Sequence, residues 1–130
     1  MRLVFLAALF LGTVVTASAQ AAPPAGAMQT YDIPATAKPQ TFYMLHRVLK
    51  PNEVLPMHTH RGVEITWVVR GTIRLTIGGK SRIYHAGESF LIPRGAAHSP
   101  VNAGSDEAEV AVNYILDKGA PLSDPAPAAH

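Results

Sequence analysis

The chain of 130 residues contains no cysteine. That absence excludes a disulfide framework, removes thiolates from any metal site, and rules out a lipid carried on cysteine at a leader's cleavage point. A strong excess of one charge is missing too. The 11 Lys and Arg face 9 Asp and Glu, and without Arg2 the balance is 10 against 9. Capture of nucleic acid through a basic face is therefore not expected. Apolar runs of membrane-spanning length are also lacking. The longest, Leu3 to Val15, falls short of the roughly 20 residues a bilayer needs.

That run follows Met1-Arg2 and precedes Ala17-Ser18-Ala19, the pattern of a secretory signal with an A-x-A cleavage site. Residues 1–19 are expected to be a signal peptide, giving a periplasmic or secreted protein that starts near Gln20 and has no membrane partner after cleavage. Residues 20–38 and 118–130 are rich in Ala, Pro and Gly and have little to bury against the cost of ordering them. They are expected to be flexible ends around a single domain at 39–117, a length that suits one hydrophobic core.

Helical periodicity is absent from that core. Short runs rich in Val, Ile, Thr, Tyr and Trp take its place: 41–49, 63–69, 72–77, 80–85, 89–92, 97–102 and 108–116. Gly78-Gly79 suits a two-residue hairpin turn with positive φ, a register that sets Ile73 opposite Tyr84 and Thr72 opposite His85. Close-spaced strands without intervening helices indicate an all-β antiparallel sandwich or barrel.

Chemistry concentrates in Pro56-Met57-His58-Thr59-His60-Arg61-Gly62-Val63-Glu64. On an extended strand, residues two apart share a face, so His58 and His60 reach one point. Glu64 has the same parity, provided that Arg61-Gly62 does not shift the register. Two neutral imidazoles and a carboxylate converging in this way suit a divalent transition metal.

A second segment, Gly87 to Asn102, changes the weight of the first. Together they resemble the cupin superfamily, whose first motif, G-x5-H-x-H-x3-E-x6-G, is met by His58, His60, Glu64 and Gly71. The second, G-x5-P-x-G-x2-H-x3-N, is met by Gly87, Pro93, Gly95, His98 and Asn102. One departure is Asn52 in place of the first glycine, and Asn tolerates the left-handed conformation that such a turn needs.

The resemblance implies a small jelly-roll-like β-barrel with His58, His60, Glu64 and His98 as ligands to Mn, Fe, Co, Ni, Cu or Zn. It adds a homodimer as a partner expectation and Asn102 as a brace for a nearby turn. The reaction it implies is oxygen-dependent oxidation of a small organic molecule, of the quercetinase dioxygenase type, with Glu64 as catalytic base. Oxalate processing with manganese is a related reading, and sugar isomerisation a weaker one. The alternatives are a metal-dependent binding or structural protein without turnover, or histidines serving only as internal hydrogen-bond partners.

Arg61 and Arg94, beside the two ligand turns, are candidates for meeting an anionic substrate, or else solvated turn residues. His46 and His85 are candidates for support behind the ligands or for ordinary surface positions, and His130 lies in the tail. Ile65 and Trp67, of opposite parity to Glu64, are expected to back its strand. Phe42, Met44, Thr66, Val68, Phe90 and Ile92 are candidates for the pocket lining, although alternation alone leaves their faces open.

Overall fold

The structure is a computed structural model that describes Met28, Thr30 and residues 32–127. The expected signal peptide and His130 lie outside these residues. Among the described residues nine strands follow in chain order: β1 (Gln40–Leu49), β2 (His58–Thr59), β3 (Gly62–Arg70), β4 (Thr72–Ile77), β5 (Lys80–His85), β6 (Ser89–Ile92), β7 (His98–Asn102), β8 (Ala108–Asp117) and β9 (Asp124–Pro125). They form two antiparallel sheets, ordered β1-β8-β3-β6 and β5-β4-β7-β2-β9. This is the expected all-β, jelly-roll-like architecture.

Alternation sets which residues fill the space between the sheets. Along β8 every second residue is buried, from Ala108 through Val110, Val112 and Tyr114 to Leu116. Leu49, Ile73, Ile92 and Leu116 are almost wholly removed from solvent. Burying each such side chain contributes roughly 1.5–3 kcal/mol. Pairing runs the full length of β1 against β8, so the inward face of β1 is Thr41, Tyr43, Leu45, Arg47 and Leu49. Phe42 and Met44 therefore point outward and are exposed, and neither lines the interior. Trp67 also stands on the outer face of its sheet, with Glu64 turned inward, as their opposite parity requires.

The hairpin behaves as its glycines dictate. Gly78 and Gly79 both take positive φ, and β4 pairs with β5 so that Ile73 meets Tyr84 and Thr72 meets His85. Asn52 adopts φ 60°, the left-handed turn expected where it replaces glycine. At Gly62 the reason for glycine is space: a Cβ there would collide with the backbone carbonyl of Ile115 on β8. A side chain would push β3 off β8 at the point where the chain enters the first sheet.

Residues 118–127 depart from the expected flexible tail. Asp124 and Pro125 form β9 against Thr59 and His58, and the Ala126 amide donates to the Met57 carbonyl (3.0 Å). Arg61 locks the same segment through its Nε to Asp124 Oδ2 (2.9 Å). Composition hid this strap because backbone bonds and one ion pair hold it, and large apolar side chains contribute little.

Candidate metal centre

His58 and His98 stand directly opposite each other on β2 and β7, with ring centroids 4.1 Å apart. Glu64 comes from β3 in the other sheet. A single continuous strand carrying His58, His60 and Glu64, as parity suggested, is corrected at Arg61. There the chain leaves the β5-β4-β7-β2-β9 sheet and crosses into the other one. The crossing brings Glu64 over the histidines from the opposite wall. One donor atom from each of His58, His60, Glu64 and His98 lies within 4.8 Å of the others, and all but the partly exposed His58 are buried.

The orientation of the rings says more than their proximity. Each Nδ1 meets a backbone carbonyl: His58 with Pro56 (2.7 Å), His60 with Leu122 (2.6 Å) and His98 with Ala96 (2.9 Å). In the neutral ring Nδ1 then carries the proton and Nε2 keeps its lone pair. Nε2 of His60 and of His98 lie 2.7 Å and 3.4 Å from Glu64 Oε2. Both nitrogens are buried without a hydrogen-bond partner. Lone pairs facing a carboxylate oxygen repel each other unless a cation sits among them. The donor set therefore fits a metal ion, with carbonyls behind each imidazole holding the ring as metal-binding histidines require.

Glu64 is held by its other oxygen, which accepts from Thr66 Oγ1 at 2.7 Å. Burial alone raises its pKa, but hydrogen bonds from His60 and His98 when those rings are protonated at Nε2, with that from Thr66, outweigh burial and hold the carboxyl at about 2. His58 is shifted down from 6.5, mainly by burial, so it is neutral near pH 7. Tyr114 packs edge-on to His60, with centroids 5.0 Å apart. Burial, then the Glu64 charge, pushes its hydroxyl up, so it keeps its proton and can donate a hydrogen bond.

The cluster opens into a pocket of about 360 Å³ whose walls include Leu49, Ile73, Phe90 and Val112. Of the residues considered for this lining, Thr66 and Phe90 are present, whereas Val68 and Ile92 lie in the core. Leu122, Ser123 and Pro125 of the strap close part of it.

Other sequence candidates are placed elsewhere. Arg61 pairs with Asp124, and Arg94 makes two bonds to Asp117 (3.0 and 2.8 Å). His46 points outward and contacts Glu109 (2.6 Å), and exposed His85 contacts Thr72 (3.4 Å). Asn102 is fully buried and its amide reaches the carbonyls of Leu49, Lys50 and Asp106, tying the ends of β7 and β1 together. Thr66 was not read as a partner of Glu64, though a spacing of two on one strand signals a shared face. The Leu122 carbonyl had no sequence signal.

This chain is similar to known proteins over part of its length. Residues 45–114 match the family model described as Cupin domain. Oxalate oxidase 2 of Hordeum vulgare is 38% identical over 73 residues, covering 49% of this chain and 33% of that protein. Mannose-1-phosphate guanylyltransferase 2 of Escherichia coli O157:H7 is 40% identical over 58 residues, covering 44% of this chain and 12% of the other. Among solved structures, oxalate oxidase in complex with the substrate analogue glycolate aligns with TM-score 0.53 and 35% identity, over 56% of this chain and 41% of that one. The chain thus spans well under half the length of these relatives. With over half of its residues inside the family model, the chain belongs to the cupin family.

Proposed function

We propose that this protein is an exported metal-dependent cupin that oxidises a small organic molecule with dioxygen. The carrying observation is the set of buried imidazole Nε2 atoms turned on Glu64 Oε2 at the wall of an apolar pocket. Similarity to oxalate oxidase supports an oxidative reaction, and the leader-like residues 1–19 support export. His58, His60, Glu64 and His98 would hold a divalent Mn, Fe, Co, Ni, Cu or Zn ion, for which this donor set is suited. Such an ion supplies Lewis acidity and, when redox-active, a path for electrons.

The residues themselves define the rest. The apolar walls exclude water around a bound molecule, and Thr66 keeps Glu64 Oε1 occupied so that Oε2 faces the cluster. With its present contacts Glu64 is a poor base. Once it loosens from His60 and His98, burial dominates and raises its pKa toward the range useful for taking a substrate proton.

A second reading, binding without turnover, draws on one observation: Glu64 is the sole carboxylate among the described lining residues, and its pKa is low. Oxygen uptake by protein loaded in turn with manganese, iron, nickel, copper and zinc separates the two, using enolic and carboxylic substrates. Turnover with a redox-active ion and none with zinc supports the enzyme. Ligand binding of equal strength with every ion, and no uptake with any, supports the binding protein.

A further inference from the structure

Arginines in the described structure mostly have occupants. Arg61, Arg70 and Arg94 pair with acids, Arg82 lies over the Tyr84 ring, and Arg74 is exposed. Arg47 differs. It sits on the inward face of β1, partly buried, and lines the same pocket as the histidine cluster. Among the described residues nothing hydrogen-bonds or ion-pairs with its guanidinium. Glu64, the one acid in that lining, is already engaged by Thr66 and the histidines.

Arg47 is the one Lys or Arg among the described lining residues, on a wall shared with Leu49, Ile73 and Val110, and its solvated guanidinium is open to an entering anion. The guanidinium fork matches a carboxylate in two parallel bonds. A single cation in an otherwise apolar wall suits one negative charge, which favours a carboxylate over a doubly charged phosphate. Arg47 pairs with Val110, whereas Glu64 pairs with Tyr114 four residues further along β8, and the Arg47 charge reaches the Tyr114 hydroxyl.

We propose that Arg47 is the acid-recognition residue of this pocket. Its ligand is a small organic monoacid with an apolar body, whose carboxylate docks on Arg47 while its other end faces the His58–His60–Glu64–His98 cluster. This rests on the reading of the pocket as a small-molecule site beside a metal.

The test is calorimetric titration of the full chain, zinc-loaded and chelator-stripped, with 3-phenylpropanoate, its amide 3-phenylpropanamide and inorganic phosphate. Wild-type protein is expected to prefer 3-phenylpropanoate to the amide by roughly tenfold to a hundredfold in both metal states, as a charge-assisted bond allows. Arg47→Met should erase that preference with zinc content unchanged. Arg47→Lys, which keeps the charge but not the fork, should retain part of the preference and decides the matter if the methionine variant does not fold.

Preference that survives Arg47→Met, or that disappears when zinc is stripped, would place the carboxylate on the metal and overturn the proposal. So would equal or absent binding of acid and amide to wild type, or phosphate binding tighter than the acid and lost in Arg47→Met. A wild-type chain that takes up no zinc sinks the metal reading separately, since the stripped protein still reports on Arg47.

Discussion

His58 and His98 are aimed by their own surroundings, His60 by a distant one. The first two meet carbonyls two residues back, on Pro56 and Ala96, so the turn that presents each ring also orients it. His60 meets the carbonyl of Leu122, 62 residues away, on the strap that β9 pins to β2. The motif therefore contains two self-sufficient ligands and one whose tautomer depends on a segment outside it. Similar ligand spacing need not imply a similarly ordered site, because the carbonyl behind the third ring is supplied separately.

The largest effect should come from removing a self-sufficient ligand. His98→Ala or His58→Ala is expected to strip most bound metal, measured by elemental analysis. Full metal retention in both would mean that the donor set is wrongly assigned. Next comes the strap. Ending the chain after Gly119 removes the Leu122 carbonyl and should weaken metal binding roughly tenfold to a hundredfold, the usual loss when such an outer partner goes. Circular dichroism should still show the folded β core, since β1–β8 remain. Unchanged affinity would erase the distinction between His60 and the other two ligands.

Thr66→Val leaves Glu64 Oε1 buried without its donor, a loss of about 1–3 kcal/mol in stability that chemical denaturation would detect. Acid should act through the imidazoles. The His58 pKa is lowered in the fold, so the unfolded chain binds more protons as pH drops through 6.5, and metal-free stability should fall below that point. Metal retention should decline over the same range while Glu64, at about 2, stays ionised. Retention undiminished down to pH 4 would argue against histidine ligation. The smallest effect is expected from Asp124→Asn, which removes an exposed, solvent-screened ion pair with Arg61. Metal affinity should then shift only a few-fold, because β9 still holds the strap.

Much of this was legible in the chain. The Gly78-Gly79 register, the strands around it and the left-handed Asn52 follow from local rules that tertiary contacts do not override here. His58, His60 and Glu64 were legible because ligand chemistry restricts residue type and spacing, and His98 through the resemblance carried by the second motif. Three things were not. The inward face of β1 is chosen by its pairing with β8, and Arg47 and Met44 look alike to alternation until Leu49 is known to be buried. The crossing at Arg61 puts Glu64 in a different sheet from His58, which strand parity cannot foresee. The strap binds through main-chain groups, and a carbonyl such as that of Leu122 leaves no trace in side-chain composition.

Elemental analysis of the protein purified without added metal, followed by titration with manganese, iron, cobalt, nickel, copper and zinc, tests the metal centre most directly. About one divalent transition ion per chain, lost in His98→Ala, is the predicted result. Metal-free protein that neither takes up any of these ions nor gains thermal stability from them would show that the buried Nε2 atoms serve some other purpose.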